Sequence, residues 1–188
     1  MDKIISEKIN LLKCLAIALV VSGHLEFSLF GMFPPYSFQL SLFFFISGML
    51  FKDKYVDNVF EFIKKRVKSL LVLYFLYSAF YAVVTIIIAK LTGKFWGMEL
   101  SWKNFFITPF LNGHQFDLSC PMWFVPQLFM TMISFVLLQK ILKNRSEFLK
   151  FGLYTLLGLS AIPFSKIIEL TSVNLVLIRI MFSLLFVY

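Results

Sequence analysis

Charged side chains are scarce in this sequence. Asp, Glu, Lys and Arg make up 15% of the 188 residues, whereas hydrophobic residues make up 60% and include 25 Phe. A soluble domain carries about a quarter charged residues, so this chain lacks the polar surface that would cover its apolar side chains. That excludes a soluble globule, and the same apolar content excludes a disordered chain. Cysteine is as sparse: Cys14 and Cys120 are the two in the chain, which excludes a disulfide-built scaffold. No Cys/His cluster has the spacing of a zinc site, so no metal ligands are assigned. No internal repeat suggests an inverted-repeat transporter. The solvent that suits such a composition is the bilayer.

Six apolar stretches follow one another at 11–30, 35–51, 70–89, 121–138, 148–164 and 173–188. They are continuous rather than alternating, which favours spanning helices over a closed barrel. The net charge is +8. On a soluble protein this would suggest nucleic acid, but no basic stripe is interleaved with exposed aromatics, so nucleic-acid binding is excluded. The basic residues instead sort by loop. The N-terminal segment holds Lys3, Lys8 and Lys13. Lys52, Lys54, Lys64, Lys65, Arg66 and Lys68 follow the second stretch, and Lys140, Lys143, Arg145 and Lys150 follow the fourth. The alternate loops hold only Lys90, Lys94, Lys103 and Lys166, and Arg179 lies inside the last stretch. This bias predicts an all-α, polytopic bundle of about six spans with a cytoplasmic N-terminus. The first stretch is long, contains His24 and is followed by no small-residue cleavage pattern, so it reads as a retained span. The last ends in Phe182-Ser-Leu-Leu-Phe-Val-Tyr188 with no polar flank. Residues 1–188 therefore read as one domain, incomplete at its C-terminus.

Polar residues at membrane depth are the informative ones. Lys13 and His24 are eleven residues apart, which is three helical turns plus about 20° and about 16 Å along the axis. They share a face with Asn10, Ile17 and Val20, and that face is expected to look into the protein or a wet cavity. An apolar setting keeps the imidazole of His24 neutral and able to accept a proton. Two readings stay open: a general base, or a hydrogen bond to a neighbouring helix. Lys13 taken alone reads as a lysine snorkelling at a span end. Ser47-Gly48 reads as a close helix contact. The basic run Phe62-Ile-Lys-Lys-Arg-Val-Lys68 reads as a topology determinant, or as a site for anionic headgroups or ligand phosphates. Residues 90–120 are expected to form an outer lid, binding loop or interfacial segment. In it His114, beside Asn112-Gly113, reads as a solvated loop residue. Cys14 and Cys120 are expected near opposite membrane faces, unpaired.

The string Asn10-Leu-Leu-Lys13-Cys-Leu-Ala-Ile-Ala-Leu-Val-Val-Ser-Gly-His24 resembles the opening of the membrane acyltransferase 3 family, with Lys as in its fucose-O-acetylase-like branch. Three further segments resemble that family in order: Phe43-Phe-Phe-Ile-Ser-Gly48, Phe62-Ile-Lys-Lys-Arg-Val-Lys-Ser-Leu-Leu71 and Met122-Trp-Phe-Val-Pro-Gln-Leu-Phe129. Asn10, Gln39, Ser41, Ser69 and Leu73 depart from residues common in the family. The family fold has about ten spans, so the resemblance covers its N-terminal portion.

The resemblance implies O-acetylation. An acyl group, usually acetyl, moves from acyl-CoA as co-substrate to a hydroxyl of a surface polysaccharide, and no bound cofactor is implied. It also implies a multi-pass bacterial cell-membrane protein, whose partners are acyl-CoA, a carbohydrate acceptor and the lipid bilayer. On this reading His24 is the base, and Lys13, Lys65, Arg66 and Lys68 hold the CoA phosphates from the cytoplasmic side. A transporter component and a non-catalytic membrane subunit or remnant are the alternatives. The sequence leaves the oligomeric state open.

Overall fold

Long apolar runs with few breaking residues have one way to satisfy their backbone in lipid, which is to coil into helices. The computed structural model describes residues 3–24, 39–97, 99–111, 122–167 and 171–188, and all regular structure among them is helical. The main helices are α1 (Lys3–His24), α2 (Gln39–Met49), α4 (Val59–Arg66), α5 (Val72–Thr92), α8 (Phe124–Ile141), α9 (Glu147–Ile167) and α10 (Ser172–Val187). Short helices α3 (Lys54–Asp57), α6 (Trp102–Phe106) and α7 (Thr108–Leu111) lie in the connections. Each of the six apolar stretches is represented by a helix, and α1 starts earlier than its stretch. Three helices have the length and hydropathy to cross a membrane: Val59–Thr92, Phe124–Ile141 and Glu147–Ile167. Leu40–Met49 and Val173–Val187 are apolar but shorter.

Local chemistry sets several boundaries. α5 stops at Gly93, whose φ of 71° is open to a residue without Cβ and whose N–H reaches the Ala89 carbonyl. Ser101 caps α6 by accepting from the Asn104 N–H, and Thr171 caps α10 by accepting from the Asn174 N–H. α4 and α5 form one unbroken helix of 34 residues, joined through a π-helical turn at Val67–Leu71. The wider turn shifts the register, so Phe62 is buried before it and Tyr74 and Ser78 after it.

α10 is the centre of the bundle and packs on α9, α2 and α8. Its Val176, Ile180, Leu184 and Val187 join Met132, Val136, Phe135 and Tyr154 in the core. Between lipid-bathed helices apolar burial supplies little drive, and close packing at small residues takes over. Gly48 illustrates this: a Cβ there would fall on the carbonyl oxygen of Val187. At Gly158 it would lie 2.6 Å from the Leu185 Cβ. Both sites bring a helix backbone against α10, and the Ser47-Gly48 pair is a packing contact as expected.

Several ends meet at one pole. The Lys143 ammonium pairs with Asp57, tying the α8–α9 connection to α3. Glu147, opening α9, accepts from Lys150 at 2.6 Å and from the Tyr188 hydroxyl at 2.7 Å. The connections after α2 and after α8, which carry ten of the basic residues, therefore share this pole. The Lys143–Asp57 pair is exposed on both sides and contributes about 0–1 kcal/mol, while Lys150 is buried beneath an exposed Glu147, so the packing of α10 decides the arrangement.

The segment expected as an outer lid, binding loop or interfacial segment is partly helical where it is described. Phe105, Phe106 and Phe110 pack on Phe75, with centroids 5.8, 5.2 and 6.5 Å away. Phe75 lies 17 residues before the end of α5, about 25 Å back along the axis. Phe110 also meets Phe129 of α8. The α6–α7 pair thus folds back along α5, because its phenylalanines find ring partners there. His114, Asp117 and Cys120 lie outside the described residues, whereas Cys14 is exposed.

Candidate functional site

The basic pole contains a pocket whose construction starts at the end of α2. The chain turns there, with the Phe51 N–H bonding to the Gly48 carbonyl at 2.8 Å, and the Tyr55 N–H returns to the Lys52 carbonyl at 2.9 Å. These turns place Lys52 at the rim and sink the Tyr55 ring against Phe62, with centroids 5.2 Å apart. On α4 and the π-helical turn that follows it, Phe62, Lys65, Arg66 and Ser69 recur at spacings of three and four residues, which puts them on one face. Lys65 donates to the Tyr55 phenol oxygen at 3.1 Å, and the Arg66 guanidinium lies 5.0 Å from the Phe62 ring centre. The hydrogen bond from the Lys65 ammonium holds the Tyr55 hydroxyl below the usual phenol range, assisted by the positive charges of Lys65 and Lys54.

The pocket is about 180 Å³, walled by Lys52, Lys65, Arg66, Tyr55 and Ser69 over Leu50 and Phe62. A whole-ligand site occupies roughly 300–1,000 Å³, so this one fits a single group of a larger molecule. Its wall holds three cations and no carboxylate. The neighbouring clefts are larger but mixed in charge. One, of about 370 Å³, sets Lys54, Lys143 and Lys150 against Asp53, Asp57 and Glu147. The other, of about 520 Å³, contains Asp57 and Glu61. An oxyanion such as phosphate is attracted to the first pocket and meets carboxylate repulsion in the other two. Among the described residues no group of three or more His, Cys, Asp or Glu is placed to hold a metal ion.

The expected site residues are distributed unevenly. Lys65 and Arg66 line this pocket together. Lys68 is exposed and does not, because it falls off the face shared by Phe62, Lys65, Arg66 and Ser69. Lys13 is on α1, half-buried and outside the pocket lining. The stripe from Asn10 to His24 runs along the edge of the buried face of α1. Ile9, Ala16, Leu19 and Gly23 are buried, Lys13 and Val20 are half-buried, and Asn10 and Ile17 are exposed. Packing follows the small and apolar side rather than the polar stripe. His24 is the last residue of α1, and its side chain lies outside the described part. Lys52, Tyr55 and Ser69 complete the pocket beyond the expected site residues. Lys52 was visible as a loop charge, but nothing in its spacing linked it to Lys65.

Comparison with curated proteins and with solved structures gives no match. The acyltransferase domain of the acyltransferase 3 family matches residues 6–188. That match takes in the Lys13–His24 helix, the Ser47-Gly48 contact, the basic pocket and the α8 motif, so the chain belongs to the acyltransferase 3 family of membrane acyltransferases.

Proposed function

We propose that the chain belongs to the fucose-O-acetylase-like branch and moves an acyl group, acetyl in the first instance, from acyl-CoA to a hydroxyl of a cell-surface carbohydrate. The observation that carries this reading is the pocket of Lys52, Lys65 and Arg66, sized for a phosphate group and free of lining carboxylates, in a member of an acyltransferase family. The donor's phosphates bind there. Lys68 guides them from outside the pocket, and Lys13 adds positive charge on the same side of the membrane. The bundle sits as a multi-pass protein of the cell membrane with six spans and its N-terminus and basic pole in the cytoplasm.

His24 acts as the base. Its neutral imidazole takes the proton of the sugar hydroxyl as the oxygen attacks the thioester carbonyl. The carbon–oxygen bond forms, the carbon–sulfur bond breaks, and the imidazolium returns the proton to the leaving thiolate. The acyl end must enter the bundle to reach this residue, because the donor's charged end stays at the basic pole. The test uses membranes containing His24→Ala, incubated with labelled acetyl-CoA. Label transfer to glycan is expected to vanish while membrane insertion is retained. Transfer at the parent rate would remove His24 from the mechanism.

A further inference from the structure

Arg179 is a guanidinium inside an apolar helix. It lies near the middle of α10, seven residues from Ser172 and eight from Val187, about 10 and 12 Å along the axis. It is half-buried. Its partner among the described residues is the Trp123 ring, 5.1 Å from the guanidinium carbon to the centroid. The ion pairs among the described residues are Lys143–Asp57 and Lys150–Glu147, so no carboxylate there neutralises Arg179. A ring face attracts the cation, but it accepts no in-plane N–H bond and carries no counter-charge, and no described carboxylate supplies one. Burying an unpaired cation in this way is costly, and an ionisable residue at such depth marks a functional site.

The surroundings are polar along a line. On α8, Gln127 and Thr131 are buried one and two turns beyond Trp123, and the Gln127 amide donates to the Thr131 hydroxyl at 3.4 Å. On α10, Ser183 is buried one turn beyond Arg179 in the same direction. α8 and α10 pack together. Gln127 and Thr131 follow Trp123 at spacings of four on α8, and Ser183 follows Arg179 by four on α10, so the helix faces joined by the Arg179–Trp123 contact carry an amide and two hydroxyls beside the guanidinium.

The charge decides what fits. On the acyltransferase reading above, the donor's anionic groups stay in the basic pocket and its acyl end is neutral. On that reading the donor offers no counter-charge to a cation in mid-helix, none of the described carboxylates does so either, and an anionic acceptor would supply it. We propose that Arg179 and Trp123 bind an anionic oxygen group, carboxylate or phosphate, on the acyl acceptor, and so select acidic acceptors. Arg179 supplies paired N–H donors to the oxygens, and the indole fixes the plane of the guanidinium.

The full chain in detergent, with Trp96→Phe and Trp102→Phe, keeps Trp123 as its sole indole. Its fluorescence is titrated with glucuronate, glycerol phosphate and glucose. A saturable change with glucuronate or glycerol phosphate, and none with glucose, is expected, and the anion that responds identifies the group. Arg179→Gln is expected to raise the dissociation constant about tenfold or more. The proposal is overturned by an equal response to glucose, by no saturable response to either anion, or by an unchanged constant in folded Arg179→Gln. Should that variant fail to fold by circular dichroism, Arg179→Lys decides. Loss of the planar fork then weakens binding about threefold or more, and an unchanged constant overturns the assignment. No acyl donor is present in this titration, so its failure is distinct from failure of the transfer assay.

Discussion

Arg66→Met tests the basic pocket most directly. The guanidinium forms part of the pocket wall and is steadied by the Phe62 ring 5.0 Å away. A hydrogen bond to a charged group contributes about 1.5–3 kcal/mol, and each 1.4 kcal/mol is a factor of about ten. Removing Arg66 should therefore raise the KM for acyl-CoA about 10- to 100-fold. The bound phosphates lie at the remote end of the donor and make the same contacts before and during reaction. The loss should fall on KM and leave kcat nearly unchanged. Lys68→Met supplies the comparison. Its ammonium is exposed and outside the pocket wall, so solvent and salt screen it and the effect should be about twofold or less. Initial rates across acyl-CoA concentrations, in membranes at fixed ionic strength, measure both. Equal losses in the two variants would refute the pocket assignment and leave only a diffuse basic surface. An Arg66→Met effect confined to kcat would refute the role in holding phosphates.

Gly48→Ala should destabilise the bundle by about 1–3 kcal/mol or more, because the added methyl meets the Val187 carbonyl oxygen. Gly152→Ala meets nothing within 4 Å and should be neutral or stabilising by about 0.5–1 kcal/mol; thermal unfolding in detergent compares the two, and equal melting temperatures would count against the α2–α10 contact. The Tyr55 phenol should ionise below the ordinary value of 10.0, and Lys65→Met should return it upward; ultraviolet difference spectra against Tyr55→Phe follow the titration. Because this folded-state value is depressed, its contribution to stability appears only as pH rises through it towards 10.0, is fully present above that, and is absent at neutral pH. A Tyr55-dependent change in stability around neutral pH would contradict the Lys65 hydrogen bond.

Composition and the continuity of the apolar runs were enough to establish a helical membrane chain, because a polypeptide with 15% charged residues cannot cover its apolar side chains in water and unbroken apolar runs satisfy their backbone as helices. The apolar stretches were legible for the same reason, and so were Ser47-Gly48 as a packing contact and the basic run that holds Lys65 and Arg66. Those features depend on residues close in sequence, where spacing and periodicity are sufficient. The closure of the pocket is of another kind. Lys52 and Tyr55 reach Lys65 across the turns between α2 and α4, and Lys68 drops out because of the face it occupies. The α6–α7 segment folds back along α5 through contacts between rings far apart in sequence. Arg179 was visible as a charge inside an apolar stretch, but its lack of a carboxylate partner among the described residues and its seat on Trp123 depend on how α8 meets α10. α10 itself is seated by steric fit against Gly48 of α2 and Gly158 of α9. Periodicity can say which side of a helix is apolar; only packing in three dimensions selects the neighbour pressed against it.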